Sequence, residues 1–217
     1  KAKSQQATVS EAEQFILNIR NAYRSGNMDE ALANAKKLVA QHGDSYESYV
    51  WLGAVQSDRY ELDEAIKNLE KALELNPDCY NAYSLLMGHH IAAGDQVMLP
   101  EEKRDIKLGM KYSDELIRIR GDHGFPYHFK ANVYRQLGEF EKAKPLYEKS
   151  IQKRKGLSSE ATAYLVSGHN FMFSGDLKTA RERYAKAIEL TKTANSWFFL
   201  NQYLTYSYIF DNDYIEA

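Results

Sequence analysis

The chain has 217 residues, 44% of them hydrophobic and 27% charged, and its 28 Lys and Arg against 30 Asp and Glu give a formal charge of −2. That balance fits a folded globular chain of one domain or a small pair, and it argues against extended disorder. A pI near 6.4 leaves no overall basic field for nucleic acid, and no apolar run approaches the roughly 18 residues that a membrane-crossing helix needs. Cys79 is the single cysteine, which excludes internal disulfides and thiolate metal clusters and fits a soluble protein of a reducing compartment, with the cytoplasm favoured. Four prolines against 16 tyrosines lean towards a helical chain.

Residues 1–9 are polar and aperiodic and are expected to form a disordered tail. Ser10 followed by Glu13 is a capping-box pattern and starts the first helix. Gly26 then marks a turn, because glycine reaches positive φ without a Cβ penalty. The stretch 48–78, SYVWLGAVQSDRYELDEAIKNLEKALELNPD, holds the pattern that organises the rest: an aromatic, Leu-Gly, a turn, Glu-Ala, Lys-Ala-Leu, then Pro. Pro77 closes its second helix, where a missing N–H costs little. Further on, Pro100-Glu101-Glu102 reads as the first turn of a lengthened helix that continues through Ile106, Gly109, Met110, Ser113 and Leu116. Pro145 falls inside a later helix, which it should bend mildly. Residues 197–210, WFFLNQYLTYSYIF, form an aromatic helix that is apolar nearly all round, so part of it is expected to stay exposed. The last five residues stop where another helix should begin, and the sequence reads as a piece of a longer polypeptide.

The pattern recurs from Ser10 to the end and resembles the tetratricopeptide repeat, a helix–turn–helix unit of about 34 residues. Units start near 12, 46, 80, 124, 161 and 198, giving 12–45, 46–79, 80–123 with an insertion at 95–108, 124–160, 161–197 and a truncated 198–217. Position 20, where the paired helices approach closest, is small throughout: Ala31, Ala65, Gly109, Ala143, Ala180 and Ala217. Position 15 at the turn is Gly26, Gly94, Gly138 or Gly175, with Tyr60 and Asn212 in the other two units. Position 4 is Phe15, Tyr49, Tyr83, Tyr127 or Tyr164, with Asn201 departing. Position 8 is Gly53, Ala131 or Gly168, whereas Ile19 and Met87 are larger there. The resemblance implies an all-α fold, a right-handed α-solenoid of antiparallel helix pairs with a concave wall built from the first helix of each pair. The insertion reads either as a tolerated surface addition or as a partner-specific knob.

Nothing in the chain looks catalytic, and neither metal nor cofactor is expected. The six histidines show no His-Glu-x-x-His spacing, adjacent His89 and His90 point to different helix faces, and no phosphate-binding glycine motif or Gly-x-Ser-x-Gly appears. His90 reads as a packing residue and Cys79 as a plain loop residue. What remains is the wall. In proteins that this chain resembles, positions 2, 5, 9, 12 and 13 face the groove. Carried over residue by residue, these are Glu13, Arg20, Tyr23, Arg24, Glu47, Val50, Ala54, Asp58, Asn81 and Ser84 in the first three units. The later units supply His128, Asn132, Arg135, Leu165, His169, Met172, Phe173, Gln202, Tyr206 and Phe210.

The chaperone-tail clamp of the family has Lys at position 5 and Asn at position 9 of one first helix; Ile16 and Arg20 stand there instead. Arg20, Arg24 and Arg135 offer guanidinium forks to carboxylates of a peptide, or else pair with Glu13 and Glu47. Leu165, Met172, Phe173, Tyr206 and Phe210 offer apolar pockets or a buried seam. The resemblance thus implies a non-catalytic scaffold that binds a protein or peptide segment in its concave groove, with no nucleic acid and no membrane insertion. Two alternatives stay open: a regulatory or targeting region of a larger enzyme of glycosyltransferase or sensor-kinase type, and self-association through the C-terminal aromatic helix.

Overall fold

The computed structural model describes residues 10–91, 98–191 and 194–211, and among them the protein is all-helical. The chain divides into two compact units. The first holds α1 (Glu11–Ser25), α2 (Met28–Gln41), α3 (Tyr46–Asp58), α4 (Leu62–Leu75), α5 (Tyr80–His90) and the segment 98–105. The second holds α6 (Ile106–Arg120), α7 (Phe125–Gln136), α8 (Phe140–Arg154), α9 (Glu160–Phe173), α10 (Leu177–Glu189) and α11 (Ala194–Phe210). The expected tail 1–9, Gly94, Asn212 and Ala217 lie outside the described residues.

In the first unit α1 pairs with α2, α3 with α4, and α5 packs on α4. Ser10 caps α1 as its sequence predicts: the hydroxyl accepts from Glu13 N–H at 3.2 Å while the Glu13 carboxylate accepts from Ser10 N–H at 2.8 Å. Gly26 closes the helix at φ 71°, and its N–H donates to the carbonyls of Ala22 and Tyr23. At the next turn Tyr60 takes the same left-handed conformation, φ 63°, without being a glycine. Ala31 and Ala65 are fully buried at the close approach of their pairs. Gly53 is required by the same packing, since a Cβ there would fall 2.8 Å from Leu69 Cγ. Ile19 fills the equivalent place in α1 and is also fully buried, its partner cluster including Ala31 and Ala35. Small residues on α2 leave room for the larger side chain on α1.

The segment 98–105 departs from the expected lengthened helix. Glu101–Lys103 form a separate 3-10 turn after Pro100, and Arg104 is extended, so α6 starts afresh at Ile106. Side-chain contacts supply the reason. Arg104 Nε donates to Leu99 O at 2.6 Å, Asp105 N–H donates to His90 Nδ1 at 3.1 Å, and Lys103 pairs with Asp63 at 3.1 Å. Leu99 is buried, and its N–H donates to His89 O at 2.9 Å. These bonds strap residues 98–105 to α4 and α5. His90 is accordingly a partnered packing residue, and His89 sits 3.0 Å from Ser57 Oγ.

In the second unit α6 packs on α7, α7 pairs with α8, α9 pairs with α10, and α11 packs on α10. Ala143 and Ala180 are fully buried at the pair contacts, and Gly138 and Gly175 turn the chain at φ 73° and 85°. α8 runs through Pro145 as one helix. Gly168 lies against Tyr184 so closely that a Cβ would meet the ring at 2.5 Å. Arg181 ties α10 to α11, donating to Ser207 O at 3.1 Å and pairing with Asp211 at 2.5 Å.

Candidate functional site

In the first unit the first helices of the pairs, α1, α3 and α5, line a groove of about 510 Å³. Its lining residues are Ile16 and Arg20 from α1; Tyr46, Glu47, Val50, Trp51 and Ala54 from α3; and Asn81, Ser84 and Leu85 from α5. Each helix presents one face because i, i+3, i+4 and i+7 lie one above another. The floor is apolar and aromatic, and the polar side chains are spaced along it. Arg20 lays its guanidinium over the Trp51 ring, 5.5 Å from the centroid, rather than pairing with Glu13. Glu13 is held by its cap, which keeps its carboxyl below the usual range. At the far end of α1 Tyr23 donates to Asp58 Oδ2 at 2.8 Å, and burial followed by that bond raises the phenol's pKa. Arg24 is exposed.

The residues expected on the wall of the second unit are disposed differently. His128 and Asn132 are only 8% and 7% exposed. Tyr147 donates its hydroxyl to Asn132 Oδ1 at 2.7 Å, and burial pushes that phenol up to about 12. His128 is held down at a pKa of about 3, first by burial and then by the charges of Arg154 and Arg135. Arg154 itself is 1% exposed; it lies 4.2 Å over the Phe125 ring and donates through Nε to Ser159 Oγ at 3.0 Å. The His169 ring lies tilted 4.4 Å from Tyr203 and 5.7 Å from Tyr184, and burial with the nearby Arg135 charge lowers its pKa to about 4. Leu165 and Met172 pack against Phe171, Ala180 and Tyr184, and Tyr184 donates to Met172 Sδ at 3.5 Å. Arg135 lies 5.6 Å over the Phe173 ring. Tyr206 stays exposed on α11 with Trp197, Phe198, Ile209 and Phe210.

The structure therefore brings Arg20, Glu47, Val50, Ala54, Asn81 and Ser84 to one groove and sets Tyr23 with Asp58 as a closed pair. It turns His128 and Asn132 into the interior. Sequence reasoning missed Ile16, Tyr46, Trp51 and Leu85 as groove residues. Their signal was available: Trp51 and Leu85 both stand at position 6, next to the groove-facing position 5.

Among the described residues no group of three His, Cys, Asp or Glu side chains is placed to hold a metal ion, and no helix is long and apolar enough to cross a membrane. The fold and the groove define a helix-pair repeat protein, the class whose stacked hairpins present first-helix faces as a binding surface. The tetratricopeptide-repeat family model matches residues 46–79 and 126–152, so the chain carries tetratricopeptide repeats at these two stretches. It is similar in structure to a thermophilic repeat protein of Thermus thermophilus: TM-score 0.68, 17% identity, covering 91% of this chain and 99% of that one. It also resembles PilF of Pseudomonas aeruginosa, with TM-score 0.69, 16% identity and coverage of 94% and 87%. A third likeness is to MamA of Desulfovibrio magneticus, with TM-score 0.64, 18% identity and coverage of 84% and 97%. At these identities the likeness is one of fold. No curated protein matches the chain by sequence.

Proposed function

We propose that this protein is a non-catalytic interaction scaffold that holds a peptide or short helical segment of a partner in the groove of its first unit. The observation that carries the reading is the groove itself: about 510 Å³ with an apolar floor of Ile16, Val50, Trp51 and Leu85 and polar groups at Arg20, Glu47, Asn81 and Ser84. A concavity of that size and make-up takes one or two anchoring side chains, while the polar groups address the backbone and flanking residues. The repeat fold supports it, being that of interaction scaffolds. Selection of a peptide display library on the protein tests it. Sequences enriched by the parent should be lost on Ala54→Trp, which fills the groove from α3. Equal enrichment on the filled variant would place binding elsewhere.

A second surface is favoured by α11, where Phe198, Tyr206, Ile209 and Phe210 share one face of the helix and stay exposed. Self-association through that face predicts a mass by light scattering that rises with protein concentration and falls back on Phe198→Asp with Phe210→Asp. A constant monomer mass contradicts it.

A further inference from the structure

The two units carry opposite charge. Residues 1–90 with 95–105, the first unit, hold 11 Lys and Arg against 17 Asp and Glu, a net of −6. The second holds 17 against 13, a net of +4. The groove described above lies wholly in the acidic unit.

Within that groove the two charged side chains are unequal. The Arg20 guanidinium lies over the Trp51 ring, 5.5 Å from its centroid, and this cation–π contact engages its charge with the groove wall. Glu47 is exposed, its nearest polar contact is the Tyr46 hydroxyl at a marginal 3.5 Å, and among the described residues it makes no ion pair. On the matching face of α1, Glu13 stands one turn before Ile16, exposed and negative. An unpaired carboxylate at the lip of an apolar groove, inside a unit of net negative charge, attracts cations and repels anions.

We infer that the groove takes a cationic segment: an apolar side chain seated on Ile16, Val50 and Leu85, with a neighbouring Lys or Arg of the partner paired to Glu47. The inference rests on the groove being a binding site and adds the chemistry of what fills it. The apolar anchor supplies contact area, and the cation sets register and selects against acidic sequences.

Trp51 provides the readout, because the only other tryptophan is Trp197 on α11. In a Trp197→Phe background, Trp51 fluorescence follows titration with a twelve-residue, acetylated and amidated peptide that places one leucine between two lysines in a Gly-Ser background. A second peptide replaces both lysines with glutamates. Blocking the termini removes any free carboxylate from the comparison. At low salt the lysine peptide should bind about tenfold tighter than the glutamate peptide, the size expected when one attraction of about 0.5–1 kcal/mol becomes a repulsion. Glu47→Lys should bring the two within about twofold or reverse them, and 0.5 M salt should narrow the gap. Tighter binding of the glutamate peptide, equal binding of both, or no response to either overturns the inference. The groove reading itself falls only if display selection also yields no peptide sensitive to Ala54→Trp.

Discussion

The first-helix faces of the two units are built on the same repeat positions and end up doing different things. In the first unit, the position 24 residues on the second helices are Ala35 and Leu69, both buried and without a hydroxyl. Arg20 and Glu47 meet no hydroxyl from these positions and stay at the surface, where they border an open groove. In the second unit, position 24 is Tyr147 and Tyr184, each fully buried. Their hydroxyls reach back to Asn132 and Met172 on the first helices. Asn132, which would face a ligand, is turned inward instead, where it partners a buried hydroxyl that would be costly to leave unpaired. In α7 and α8, a tyrosine on the supporting helix thus holds a polar group of the presenting helix in the core.

Breaking the contrast in the second unit should give the largest effect. Gly168→Val places a side chain where a Cβ already meets the Tyr184 ring, so Tyr184 must move and its contacts to His169 and Met172 go with it. Thermal unfolding should show a loss of about 3 kcal/mol, at the upper end for an overpacked core.

Acidification comes next. His128 and His169 are held neutral in the folded chain, with pKa values of about 3 and about 4, below the ordinary 6.5. The unfolded chain therefore binds more protons than the folded one between about pH 6.5 and 4, and stability is complete above that window and falls as pH drops through it. Unfolding free energies from urea titrations at pH 7 and pH 5 should differ by roughly 2 kcal/mol, taking both histidines and allowing for partial relaxation. His128→Gln with His169→Gln should flatten the dependence.

Tyr147→Phe is smaller. It leaves Asn132 Oδ1 without its donor, and denaturant titration should register about 1.5 kcal/mol. The comparison sharpens with the variant expected to do least. Ala54→Trp points into open groove rather than core, so it should change unfolding free energy by no more than about 0.5 kcal/mol while abolishing peptide selection.

Much of the fold is legible residue by residue. Small side chains at position 20, the turn glycines and the Ser10–Glu13 box each answer to one steric or hydrogen-bonding demand, so their spacing alone places the helix pairs. The segment 98–105 was not legible, because its course depends on Leu99, Lys103 and Asp105 finding His89, Asp63 and His90, contacts distant in sequence. The groove was half legible. Position counting finds Arg20, Glu47, Val50, Asn81 and Ser84, since these depend only on which way a helix face points. It does not find Trp51, which enters the groove beneath Arg20, nor foresee that Tyr147 would take Asn132. Those outcomes belong to side-chain pairs, and a pattern of single positions carries no information about them.

The most direct test of the central claim is an amide chemical-shift titration of the isotopically labelled protein with a library-selected peptide. The perturbed residues should cluster at Ile16, Arg20, Val50, Trp51, Asn81 and Ser84, with α9 to α11 unmoved. A cluster on α9 to α11 with the α1, α3 and α5 residues silent would contradict it.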